Sequence, residues 1–156
     1  MRFLYKIIAN MTKTRKFLIV SHGAFAGGIR SALELIAGAM GNVYVVQAYL
    51  GENKPVEEEL AGLLGGVAAG EEWVVFTDLL GGSITNQVLR VAADQPEGRS
   101  IHVVAGVNLP LVIEVVLSDP EMPVAEVLAE AIGRARDQLV YVNGFISSLS
   151  NEGDNA

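Results

Sequence analysis

The sequence has no cysteine and only two histidines. Without thiols there is no disulfide framework, no thiolate zinc site, no iron–sulfur cluster and no cysteine nucleophile. Two imidazoles are too few for a multi-histidine metal site, so any catalysis rests on very few groups. Basic residues are scarce beyond the amino terminus. Five of the eleven (Arg2, Lys6, Lys13, Arg15, Lys16) lie in the first sixteen positions, which hold no acid. Residues 17–156 carry six basic against eighteen acidic residues, a net −12. A surface that acidic repels phosphate backbones, which argues against nucleic acid as a partner, whereas a basic protein surface suits it. Long apolar runs are missing too. The longest, residues 101–117, contains His102, Asn108, Pro110 and Glu114 and is too short and too polar to span a bilayer. A soluble, cytoplasmic protein is the expectation.

What is present is core material. A chain of 156 residues that is 51% hydrophobic fits one domain and excludes a disordered chain. The opening MRFLYKIIANM is basic and partly apolar, but Lys6 interrupts it and no small-residue cleavage site follows. Met11 is an alternative start. Residues 1–15 are therefore expected as a disordered or non-native extension, residues 16–146 as the domain, and residues 147–156 as a polar, disordered tail.

Four short β-branched runs mark strands: residues 17–20 (FLIV), 43–50 (VYVVQAYL), 73–76 (WVVF) and 101–105 (IHVVA). Three are nearly continuous rather than alternating, as in strands buried on both faces of a parallel sheet. Helical spacing fills the intervals. Phe25, Ile29, Leu33, Ile36 and Met40 form one stripe, and residues 56–67 a second, opened by Glu57, Glu58 and Glu59 where the helix dipole favours carboxylates. Further helices open at Ser83, run from Pro110 to Leu117, and span residues 124–137. The alternation predicts an α/β fold: an open, mostly parallel four-stranded sheet with helices on both faces and right-handed crossovers. A last apolar run, residues 139–142 (LVYV), is expected as an edge strand.

In such a sheet, ligands bind beyond the carboxyl ends of the strands. Three junctions qualify: residues 20–28 (VSHGAFAGG), 76–83 (FTDLLGGS) and 105–110 (AGVNLP). If the first and third strands are neighbours, His22 and Asp78 project at the same end. A carboxylate beside an imidazole accepts from one ring N–H, fixes the tautomer and leaves the other nitrogen its lone pair. That nitrogen can be a nucleophile, a base or a metal ligand; the plainer reading is a histidine at a helix N-terminus. Its place beside glycine, opposite a strand-end Asp, favours function. Gly23, Gly27 and Gly28 open one helix, and Gly81, Gly82 and Ser83 another. Two helix N-termini with close-approaching backbone would cradle a phosphoryl group, though small residues also serve tight turns.

Ser83 can donate to a phosphoryl oxygen or cap its helix. Asn108 reads as a turn residue lining the site, Thr85 and Asn86 as solvent-facing or supporting residues, and His102, inside a strand, as structural. Neither glycine run is a nucleotide-binding loop, and no G-x-S-x-G elbow offers a serine nucleophile.

Taken together, the SHG-x-x-x-GG junction (residues 21–28), TDLLGGSITN (77–86) and AGVNLP (105–110) resemble the mannose-type EIIA component of the bacterial phosphoenolpyruvate-dependent sugar phosphotransferase system, over residues 16–142. The resemblance implies that His22 receives a phosphoryl group from the phosphohistidine of HPr and passes it to a histidine of an EIIB partner. It implies that Asp78 holds the other ring nitrogen, and that Gly23, Gly81, Gly82 and Ser83 contact the phosphoryl group, with Leu80 and Asn108 lining the site. It implies no metal and no organic cofactor, and a homodimer whose last strand, here residues 139–142, crosses to the partner. Two positions depart from the mannose-transporter pattern: Leu80, often aromatic there, and Ile84, often proline. Two other readings share the histidine chemistry: a dihydroxyacetone kinase phosphotransfer subunit and a regulator controlled by His22 phosphorylation.

Overall fold

Each β-branched run forms a strand, the second ending at Ala48 so that Tyr49 and Leu50 fall outside it. In this computed structural model, which describes residues 14–51, 54–68, 70–95 and 100–153, the strands are β1 (Thr14–His22), β2 (Val43–Ala48), β3 (Glu71–Thr77) and β4 (Ser100–Ala105). Between and after them lie α1 (Phe25–Ala37), α2 (Val56–Leu64), α3 (Ser83–Ala93), α4 (Leu109–Val116), α5 (Val124–Asp137) and α6 (Val142–Gly153). All pairings are parallel, in the order β2-β1-β3-β4.

The sheet is covered on both sides, as the continuous apolar runs require. Successive side chains of a strand point to opposite faces, so Phe17 and Ile19 pack with α1, α4 and α5 through Leu33, Val112 and Val127. Leu18 and Val20 face the other way, against Leu60 and Leu64 of α2 and Ile84 and Val88 of α3. The alternation inside one uninterrupted run lets a single strand serve two cores.

Strand order fixes the functional geometry. From β1 the chain steps to β2 on one side, then crosses back to β3 on the other, so direction reverses between β1 and β3. That reversal opens a crevice at the carboxyl edge, where open α/β sheets bind ligands. The register pairs Val20 with Thr77 and His22 with Ala48, which brings the ends of three strands level.

The ends of the domain depart from expectation. Thr14 and Arg15, assigned from sequence to a disordered or non-native extension, belong to β1. Arg15 is buried; its Nε donates to Glu72 at 3.1 Å and its Nη2 to the Met122 carbonyl at 2.6 Å. It joins β1, β3 and the turn before α5. Residues 1–13, the rest of that extension, lie outside the described residues. Residues 139–141, expected in an edge strand, have no regular structure, and Val142 begins α6. Residues 147–153, expected as disordered tail, continue that helix. Val142, Phe145, Ile146 and Leu149 recur at i, i+3, i+4 and i+7, the spacing of one helical face.

Candidate functional site

His22 is the last residue of β1, and Asp78 follows the last residue of β3. Because those strands are hydrogen-bonded neighbours, the two side chains meet. Asp78 Oδ2 accepts from His22 Nδ1 at 2.8 Å and also from the His22 backbone N–H at 2.8 Å. Asp78 Oδ1 accepts from the Leu79 N–H at 2.9 Å. Nδ1 therefore carries the hydrogen, and Nε2 is left with its lone pair. The pair is asymmetric in exposure: the His22 side chain is 43% exposed and that of Asp78 11%. Burial opposes ionisation of Asp78. The His22 backbone N–H, the His22 ring and the Leu79 N–H outweigh it, so the Asp78 pKa lies below the ordinary carboxylate value. Asp78 is a carboxylate throughout the neutral range.

The backbone around His22 is held on both sides. Gly23 takes φ 57°, a left-handed conformation that glycine adopts without penalty, and its N–H donates to the Ala48 carbonyl at 2.9 Å. This N–H, expected to face a phosphoryl group, is committed to the end of β2. Ser21, fully buried, accepts from the Ala26 N–H at 2.7 Å and so satisfies one of the orphan donors of α1.

The loop from Asp78 to α3 is equally determined. Gly81 takes φ 74°, and the Gly82 N–H donates to the Leu79 carbonyl at 3.2 Å. Thr85 is buried, not solvent-facing. Its Oγ1 donates to the Leu79 carbonyl at 2.6 Å and lies 2.7 Å from Thr77 Oγ1, which pins the loop from below. Ser83 is the first residue of α3, where helix geometry leaves the first N–H groups without an intrahelical acceptor. Asn108 caps α4, its Oδ1 accepting from the Leu111 N–H at 2.9 Å. Leu80, 87% exposed, and Asn108 line a common groove beside β4 with Gly106 and Arg136. His102 sits 2.6 Å from Ser100 Oγ and 3.9 Å from Glu72, at the opposite end of the sheet from His22, a structural placement.

One residue escaped the sequence reading. Tyr49 follows β2, its ring 5.5 Å from the His22 imidazole at a 39° tilt and its hydroxyl 3.1 Å from Ser83 Oγ. The strand expected from sequence runs on to residue 50 and so holds Tyr49 inside it; β2 ends at Ala48, which puts Tyr49 at the carboxyl edge, where the rule for the other three strands applies.

These features describe an α/β domain with a carboxylate-steered imidazole at the switch point of a parallel sheet, beside a helix N-terminus suited to an anion. The model of the EIIA-man family, described as the PTS system fructose IIA component, matches residues 16–132. The chain belongs to that family, the EIIA phosphocarrier components of sugar phosphotransferase systems, which are phosphotransferases. It is similar to a protein of Klebsiella pneumoniae described as a phosphoenolpyruvate-dependent sugar phosphotransferase system permease. Identity there is 30% over 86% of this chain and 95% of that one, with a TM-score of 0.77. The phosphotransferase system component EIIA of Streptococcus agalactiae is 30% identical over 84% and 99%, with a TM-score of 0.72. The mannose/sorbose specific IIA subunit of Enterococcus faecalis is 26% identical over 81% and 93%, with a TM-score of 0.68. No helix among the described residues is long and apolar enough to cross a membrane.

Proposed function

We propose that His22 Nε2 accepts a phosphoryl group from the phosphohistidine of HPr and passes it to a histidine of an EIIB partner during sugar uptake, in the cytoplasm. The observation that carries this is the double acceptance by Asp78 Oδ2, which takes both N–H groups of His22 and leaves Nε2 as the one nucleophilic atom. In the forward step the Nε2 lone pair forms a new P–N bond while the P–N bond of HPr breaks and its electron pair returns to the HPr imidazole. The His22 ring, still bearing hydrogen on Nδ1, becomes cationic, and the Asp78 carboxylate at 2.8 Å offsets that charge. In the onward step the EIIB histidine attacks phosphorus and the Nε2–P pair returns to His22. Since a phosphoramidate is exchanged for a phosphoramidate, the protein needs to supply alignment, tautomer and charge stabilisation.

The Ser83 hydroxyl and the N–H groups at the start of α3 are the donors available to the phosphoryl oxygens; Gly81 shapes the approach. Partly exposed Phe25, Tyr49 and Leu79 and the projecting Leu80 give the site an apolar rim, which suits protein partners. A homodimer would cover the apolar residues of the carboxyl-terminal segment, where Leu139 is 92% and Tyr141 78% exposed.

The test supplies labelled phosphoenolpyruvate, enzyme I and HPr. The expected result is an acid-labile, base-stable label on the chain that His22→Ala abolishes; robust labelling of His22→Ala overturns the assignment.

A further inference from the structure

We propose that Tyr49 is a positioning residue for phosphoryl transfer: its ring walls one side of the His22 imidazole, and its hydroxyl donates to Ser83 so that the Ser83 hydrogen turns toward the phosphoryl group on Nε2. The inference rests on the phosphocarrier reading of His22 and extends it to a residue that chemistry-bearing motifs do not include.

Three observations converge on Tyr49. First, it is the one non-glycine among the described residues with positive φ, at 61°. L-residues with bulky side chains rarely adopt this conformation, and such outliers gather where a site over-determines the backbone. Second, the backbone fixes where Tyr49 stands relative to His22. The strand register pairs His22 with Ala48, and the Gly23 N–H donates to the Ala48 carbonyl at 2.9 Å. The left-handed turn immediately after Ala48 then directs the Tyr49 side chain across the carboxyl edge. Third, that one side chain reaches both parts of the site, with the imidazole 5.5 Å from its ring and Ser83 Oγ 3.1 Å from its hydroxyl.

The chemistry of the pair follows from counting hydrogens. Two hydroxyls in contact share one hydrogen between them, and the other is free to point elsewhere. If Ser83 donates to Tyr49, the serine hydrogen is unavailable to a ligand. A dianionic phosphoryl group beside Ser83 reverses this: the serine donates to the anion and accepts from the phenol. Each bond in such a chain polarises the next. Tyr49 thus acts on the phosphoryl group through Ser83, and on the imidazole through its ring. Its φ of 61° also explains why a tyrosine at the end of β2 reaches across the edge of the sheet instead of following the strand direction.

The experiment measures the equilibrium constant for phosphoryl exchange between HPr and the full chain, with phosphorus NMR of the phosphorylated chain recorded alongside. This constant describes the free species and is blind to how tightly the two proteins dock. Four chains are compared: wild type, Tyr49→Phe, Ser83→Ala and the double variant. Tyr49→Phe keeps the ring, so the expected result is an equilibrium shifted toward phospho-HPr by about fivefold, the worth of one net hydrogen bond, and a displaced phosphorus resonance. Ser83→Ala shifts it at least as far, and Tyr49→Phe adds nothing in the Ser83→Ala background, because the phenol acts through that serine. A labelled wild type with Tyr49→Phe indistinguishable from it in both readouts overturns the role of Tyr49 and leaves His22 as phosphoryl acceptor. Fully additive shifts in the double variant overturn the relay through Ser83. A wild-type chain that takes no label overturns the phosphocarrier reading, and this inference with it.

Discussion

Replacing Asp78 by asparagine isolates the charge of the steering group at nearly constant shape. The carboxylate accepts three N–H groups: the His22 backbone and ring N–H on Oδ2, and that of Leu79 on Oδ1. An amide has one oxygen and must leave donor facing donor somewhere. Turning the oxygen toward His22 satisfies two of the three and conflicts only at Leu79, so this orientation prevails and the tautomer survives. The Leu79 conflict destabilises the fold by about 1–3 kcal/mol. The transfer step loses something different: a charge-assisted hydrogen bond becomes a neutral one, and the ring cation formed during transfer loses its counter-charge. Because the His22 side chain is 43% exposed, water screens part of that loss. A net barrier increase of roughly 1.5–3 kcal/mol remains, which slows labelling about 10- to 150-fold. Rapid-quench labelling from phospho-HPr measures the rate, and thermal unfolding monitors the fold. The pH dependence has a definite sign. The lowered pKa of Asp78 means its stabilising contribution is present above the ordinary carboxylate value and is lost as pH falls through the lowered one. The advantage of Asp over Asn should therefore hold across the neutral range and close only in acid. Wild-type labelling rates for Asp78→Asn at neutral pH, with the fold intact, would refute the idea that this carboxylate governs the nucleophile.

Other consequences are open to measurement. Thr85→Val removes the hydroxyl that Leu79 and Thr77 rely on and should cost about 1–3 kcal/mol in urea unfolding, with Thr85→Ser losing far less. Arg15→Ala removes the hydrogen bonds to Glu72, which among the described residues keeps only His102 at 3.9 Å, and to the Met122 carbonyl, and should cost about 3 kcal/mol by the same assay, which also tests whether residues 14–15 belong to the domain. At the amino edge of the sheet, the hydrogen bond from Lys16 lowers the pKa of Glu71, and Glu71 raises that of Lys16. Their contribution is lost as pH falls through the lowered Glu71 value or rises through the raised Lys16 value; Glu71→Gln should cost less than about 1 kcal/mol, and less still in high salt. Truncation after Gln138 should convert a dimer to a monomer in light scattering if the carboxyl-terminal segment forms the subunit interface.

Much of this was legible because burial writes itself into the strands. The FLIV and WVVF runs are apolar at every position since both faces of β1 and β3 are covered, and that pattern, with helices between, specifies a parallel sheet. His22 and Asp78 could be paired in advance because parallel neighbours end at the same edge. What escaped was encoded in contacts, not periodicity. Arg15 looks like part of a basic leader, and only the fold shows its partners, Glu72 and Met122, 57 and 107 residues away. Residues 139–142 are β-branched and aromatic, so local preference spoke for a strand; that Val142 opens α6 is written in the helical spacing of Val142, Phe145, Ile146 and Leu149, most of which lies beyond that window, and a strand crossing to a second subunit is a separate matter of a dimer. Sequence marks the turns at Gly23 and Gly82, assigned to phosphoryl contact, without saying that their N–H groups meet the Ala48 and Leu79 carbonyls.

That one oxygen of Asp78 holds both the main chain and the ring of His22 makes the site an interlock. The same atom that ties the end of β1 to the end of β3 also sets the His22 tautomer, so a slip of one residue between those strands would part the imidazole from the group that steers it. Strand alignment and ring tautomer thereby answer to a single geometric condition.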